Sequence, residues 1–187
     1  MDRKRRITYG LALTLLAGIA IYALLQLIAD KGTVTSPPRG GGRDKQDQAE
    51  VFLYFGSATD TFLKAEKRLI KGYGDPIALS RNIIAALISG PTGKDLVRTL
   101  PQGTVCRAFY LTDDGTAYVD FSSQIRDQHP GGSETELLAI YSVVNSLVLN
   151  IEKIKKVKIL VEGNETGTLA GHIDLRRPFD ANMRMIR

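Results

Sequence analysis

Two stretches gather side chains that could do chemistry. In HPGGSETE (129–136) a histidine stands four residues ahead of a serine, glycines lie between them, and Glu134 and Glu136 follow. Such a set could be a nucleophile with its base, an anion-binding loop, or the start of a helix. In GHIDLRRPFD (171–180), His172, Asp174 and Arg176 alternate, so on a strand all three would project from one side. A His–Asp pair there could orient an imidazole as a general base, and Arg176-Arg177 could hold a carboxylate or a glycan-linked acid.

Neither stretch carries the rest of a reaction centre. A nucleophile elbow wants Gly-x-Ser-x-Gly, whereas Ser133 is followed by acid, and no Gly-Lys-Ser phosphate loop occurs. Two acidic residues in a first helical turn would also repel an incoming anion. The expected reading of Ser133 is therefore a capping box: its oxygen accepts from the Glu136 amide, and the Glu136 carboxylate reaches back to the Ser133 amide. With only His129, His172 and Cys106 as soft ligands, no metal centre is expected, and no cofactor. One cysteine cannot form an internal disulfide, and Cys106 is expected as a small hydrophobe in an apolar strand.

The elements that position these residues are legible from pattern. A basic cluster, residues 2–6, precedes an uncharged run from Ile7 to Ala29. About 20 apolar residues suffice to span a bilayer. The expectation is a cytoplasmic head (1–6) and a retained transmembrane helix (7–29), with everything after it outside. Residues 30–50, rich in Gly, Pro and charge, are expected as a flexible linker. The net charge of +5 lies mostly in the head: the first 29 residues carry +3, the linker zero and the remainder +2. No electrostatic footprint for nucleic acid follows.

Residues 51–187 form one domain of ordinary size. VFLYF (51–55) is strand-like, and 61–70 is ambiguous between strand and helix. Asp75 can cap a helix whose first residue is Pro76, with Ile77, Ile84, Leu87 and Ile88 on one face and Gly90-Pro91 as the stop. Asp113-Asp114-Gly115 joins two alternating runs as a hairpin. Its second arm turns Ala117, Val119 and Phe121 one way and Tyr118 the other. Leu137, Tyr141, Val144 and Val148 recur at helical spacing, and 155–163 and 168–175 look extended. The expected class is α+β: two helices packed on a mostly antiparallel sheet, preceded by one transmembrane helix.

Several segments, in this order, resemble the GerMN domain family of sporulation and spore-germination proteins: LYF near 54, ALISGPT (86–92), LPQGT (100–104) and AYVDFS after the hairpin. GGSETELLAIYSVVNSL (131–147), VKILVEG (157–163) and TLAGHIDLRRPF (168–179) complete the set. The resemblance favours strand for 61–70. It implies a small interaction module on the outer side of the bacterial cytoplasmic membrane, without a catalytic constellation. The partners it implies are cell-envelope proteins or peptidoglycan, with homo- or hetero-oligomers in keeping. For such contacts the candidate residues are Arg176, Arg177 and Tyr118, while Ser133, Glu136 and Asp75 are expected as structural caps.

Overall fold

The computed structural model describes residues 47–187. The expected head (1–6), spanning helix (7–29) and nearly all of the linker (30–50) lie outside the described residues. Among those described, no helix is long and apolar enough to cross a membrane.

The chain enters directly into β1 (Gln48–Ser57), so 48–50 belong to the domain rather than to the linker. β2 (Leu63–Lys71), α1 (Pro76–Ser89) and β3 (Leu96–Val97) follow. Next come β4 (Cys106–Leu111), β5 (Thr116–Phe121), the one-turn α2 (Gln124–Asp127) and α3 (Ser133–Val148). β6 (Lys156–Val161), β7 (Asn164–Glu165), β8 (Phe179–Asp180) and a 3₁₀ turn (Met183–Met185) complete the order.

The fold is α+β, with three helices and two sheets among the described residues rather than two helices on one sheet. The first sheet runs β2-β1-β3 and is antiparallel. The second runs β4-β5-β6-β7, with β8 also on β6, and is mixed. Its centre is a parallel pair, Thr116–Phe121 against Lys156–Val161. Parallel neighbours need a long crossover, and α2 with α3 supplies it. The alternation of Val157, Ile159 and Val161 gave β6 its buried face; it carried no information about the strand beside it.

α3 packs against β1 on one side, β6 on another, and α1. That is why it is buried nearly all round, from Ala139 to Leu147, instead of along one stripe. The common core joins Leu53 and Phe55 of β1, Ile83, Ile84 and Leu87 of α1, Val119 and Phe121 of β5, and Ile140, Val144 and Leu147 of α3.

The ends of α1 follow local chemistry. Asp75 Oδ1 accepts from the amides of Ile77 (2.9 Å) and Ala78 (3.1 Å), and Pro76 occupies the first turn, where its missing N–H costs nothing. Gly90 ends the helix at φ +91°, and a Cβ there would lie 2.6 Å from the Arg98 guanidinium. The buried face is Leu79, Ile83, Ile84 and Leu87, while Ile77, expected on it, is 42% exposed because it sits in the first turn, beyond the sheet.

Two further expectations change. Residues 168–175 form turns rather than a strand, so His172, Asp174 and Arg176 share no strand face. The capping box at Ser133 is absent. Gly132 occupies the cap position at φ +87°, the first helical bond runs from Glu136 N–H to Gly132 O, and no side chain caps the end. Ser133 is already the first helical residue, because Gly131 and Gly132, both at positive φ, turn the chain one residue earlier. Asp75→Ala should therefore cost about 1 kcal/mol. Ser133→Ala should stay within about 0.5 kcal/mol in urea denaturation. A Ser133 loss equal to that of Asp75 would restore the capping box.

Candidate functional site

Glu136 is the most unusual polar group in the fold. It lies in the first turn of α3 with no exposed surface. Oε1 accepts from the amides of Leu169 (2.8 Å) and Ala170 (3.0 Å), and Oε2 accepts from that of His172 (3.0 Å). His172 Nδ1 stands 3.3 Å from Oε2. Burial pushes this carboxyl up, but the bonds from Ala170, His172, Leu169 and Ile173 outweigh it and hold the group below the usual glutamate value. A carboxylate whose lone pairs are filled by amides is an anchor for the 168–173 turn, not a base.

His129 lies in the same neighbourhood. Its Nδ1 accepts from Gly131 N–H at 3.1 Å, so the neutral ring carries its proton on Nε2, which is buried without a partner. Burial pushes the imidazole below its usual value, against the pull of the Glu136 charge. Ser133 is exposed and bonds to neither His172 nor Asp174. Ser133, His172 and Asp174 do not converge: His172 faces Glu136, and Asp174 faces Arg176. Among the described residues no group of His, Cys, Asp and Glu is arranged to hold a metal ion.

The candidate contact residues fall on the opposite face of the second sheet. Val157, Ile159, Ala117 and Val119 point inward, so the pleat turns Tyr118 and Lys158, register partners across β5 and β6, outward. Lys158 is nonetheless buried. Its Nζ donates to Leu175 O (3.1 Å) and Arg176 O (2.6 Å) and pairs with Glu165 (3.3 Å). This lysine draws the 175–177 turn onto the face that carries Tyr118 and, across β4, the exposed Tyr110. Arg176 is not a free cation: its amide and Nε reach Asp174 Oδ1 at 2.9 Å and its terminal nitrogen reaches Oδ2 at 3.0 Å. That pair holds the Asp174 carboxyl down at about 2. Arg177 remains exposed beside it.

Sequence reasoning missed a polar ladder on α3. Beyond its short pairing with β3 at Gly56 and Ser57, β1 has no strand on that side among the described residues. Side chains take the missing strand's place. Ser142 Oγ donates to Tyr54 O (2.6 Å), Ser146 Oγ accepts from Tyr54 N–H (3.0 Å), and the Asn150 amide bonds both N–H (2.9 Å) and C=O (2.8 Å) of Phe52. Asn145 makes the same two-way bond with the backbone of Asn182, tying down the C-terminal segment. The signal was present as Ser142, Ser146 and Asn150 spaced four apart, the first two within the apolar helix and the third just past its end.

A family model described as Germane, sporulation and spore germination, matches residues 52–167. A solved structure assigned as a lipoprotein of Clostridium perfringens is 27% identical, with a TM-score of 0.52 over 72% of this chain and 89% of that one. The first GerMN domain of the sporulation protein GerM from Bacillus subtilis superposes with a TM-score of 0.57 at 19% identity, covering 73% of this chain and 98% of that one. In the tandem GerMN structure of the same protein the match spans 46% of that chain. No curated protein matches significantly.

Proposed function

Since this chain belongs to the Germane family of sporulation and spore-germination domains, we propose that it is a non-catalytic docking module of the bacterial cell envelope, held at the cytoplasmic membrane by residues 7–29 and facing outward. The observation that carries this reading is where the buried polar groups are spent. Glu136, Ser142, Ser146 and Lys158 each bond the protein's own backbone, so these buried polar groups serve the fold and leave recognition to the surface. The uncharged run behind a basic cluster supports the anchor, and a similar protein assigned as a lipoprotein is in keeping with an envelope location. The test is photo-crosslinking in cells from positions Tyr110 and Arg177 of the full chain. A defined envelope protein should be recovered from at least one position; random neighbours alone would defeat the reading.

The second reading is a peptidoglycan-binding module assisting a cell-wall hydrolase such as an amidase. Its support is the outward pair Tyr110 and Tyr118, with the exposed Arg177 on the segment that Lys158 ties to this sheet, since rings can stack on sugars and a guanidinium can meet stem-peptide carboxylates. Purified sacculi should then retain the full chain, and Arg177→Ala should release it. Arg176→Ala should do less, because Asp174 already engages that charge. No retention of the unaltered chain ends this reading.

A further inference from the structure

The fold treats its sheet edges differently. β1 is covered by the side chains of α3. The outer strand β2 carries Lys64, Glu66, Lys67, Arg68 and Lys71, and charge of this density deters pairing with a foreign strand. β7 and β8 are two residues each. β4, with the sequence CRAFYL, has one charge and six residues. Thr112 N–H donates to Thr116 O at the hairpin end (3.0 Å), so the alternation of antiparallel bonding turns Ala108 and Tyr110 toward β5. Phe109 and Leu111 then direct their N–H and C=O groups away from the sheet, and no described group bonds them.

A groove of about 610 Å³ lies beside this edge from its bulge at Cys106–Ala108 to Phe109. One wall is Thr104–Phe109; the other is the outer side of α1, with Arg81, Asn82, Ala85 and Ile88. A free strand edge facing a helix is the geometry in which an extended peptide adds as a strand and rests alternate side chains on the helix. The lining holds two arginines and no carboxylate. The concavity at the start of α1, by contrast, mixes Asp75, Asp113, Asp114 and Glu152 with Lys153 and Lys155. Arg107 is steadied by Asp120 (3.3 Å) and Glu162 (3.2 Å), whereas Arg81 is exposed and has no carboxylate partner among the described residues. Arg81 therefore supplies the groove with a positive charge that no carboxylate offsets, and the site complements one negative side chain there.

We propose that the groove between α1 and the free edge of β4 is a strand-addition site for an extended, acidic segment of a partner protein. This rests on the docking-module reading and gives it a location. Cys106, the chain's one cysteine, lies in the groove wall and reports occupancy without any substitution.

The experiment uses the full chain in detergent micelles and two terminally blocked, fluorescein-labelled peptides. One alternates glutamate with valine; the other has lysine in place of glutamate. The acidic peptide should bind by anisotropy, slow alkylation of Cys106 by iodoacetamide, and protect the Phe109 amide from exchange. The lysine peptide should do none of these. Arg81→Glu should weaken the acidic peptide about tenfold or more, the loss of one charge-assisted contact, with the circular dichroism unchanged. Ala85→Tyr, which fills the groove from an exposed helical position, should abolish binding. Equal binding of both peptides, binding that leaves Cys106 reactive, or protection of β4 by self-association without peptide would each overturn the proposal. A partner crosslinked through Arg177 while the groove stays empty would leave the docking reading standing and remove only this site.

Discussion

Replacing Glu136 with alanine should lower stability by about 4 kcal/mol, seen as a reduced urea midpoint at an unchanged m-value. The reasoning is additive. Three amides, the buried one of Leu169 and the part-buried ones of Ala170 and His172, lose the acceptor that a fully buried side chain supplies. Each stranded donor costs about 1–3 kcal/mol, and partial relaxation of the turn recovers some of it. Glu136→Gln should cost about half as much, since one carbonyl oxygen still accepts while the new amide nitrogen meets a donor. Proteolysis should shift with it, because the 168–173 turn loses its anchor and becomes the first segment to open. A loss below about 1 kcal/mol for the alanine variant would mean that the carboxylate is dispensable to the fold, and would reopen a chemical role for it.

The same anchor makes the protein acid-sensitive. Glu136 and Glu66 both lie below the ordinary glutamate value of 4.5, Glu66 at about 2. For Glu66, too, burial works upward and the amides of Gly93 and Thr92, with Arg68, work downward and win. A depressed carboxyl contributes stability that is complete above its unfolded value and is lost as pH falls through the folded one. The depressed His129 acts in the same direction from about 6.5 downward, since the unfolded chain takes up a proton that the buried ring resists. Stability should therefore decline gently below about pH 6.5 and steeply below about 4.5. Glu136→Gln should flatten the steep limb and deepen the gentle one, because the buried His129 imidazole loses the upward pull of that charge.

What was legible in the sequence is what short-range chemistry decides. Asp113-Asp114-Gly115 could only turn, and Asp114 closes that turn on the hydroxyls of Thr112 (2.5 Å) and Thr116 (2.9 Å). Asp75-Pro76 and Gly90 bounded α1 for reasons confined to a few residues. The ambiguity of 61–70 has a physical origin. The β2 side chains turned toward α1 are Lys64, Glu66, Arg68 and Ile70, and their charges are used there. Arg68 donates to the carbonyls at the end of α1 and lies over the Phe55 ring, while Glu66 holds Thr92 and Gly93 (both 2.9 Å). Apolar residues such as Leu69 face out, so hydrophobic alternation was inverted and helical propensity looked equally good. Ser133 and Glu136 failed differently. Their spacing satisfied a local rule, yet a turn 33 residues away competed for the carboxylate and won. Spacing along one helix cannot register a partner that arrives from another part of the chain.

Replacing Ser146 and Asn150 together with alanine should cost about 3 kcal/mol and make the protein prone to aggregate. The two halves differ in environment. Ser146 is fully buried, and without its Oγ the Tyr54 N–H has no acceptor and no water, at about 2 kcal/mol. Asn150 sits where solvent can reach Phe52, so its loss alone should cost about 1 kcal/mol. Together they strip the bonds from three consecutive outward groups of β1 and uncover a strand edge with Phe52 and Tyr54 on it, a template for pairing with another chain. Light scattering on partial unfolding should rise in the double variant and not in Glu136→Gln, although both are destabilised. A double variant that loses stability without gaining aggregation would show that α3 supports β1 merely by packing. A gain in aggregation at near-normal stability would show the opposite: that these side chains guard the edge more than they hold the fold.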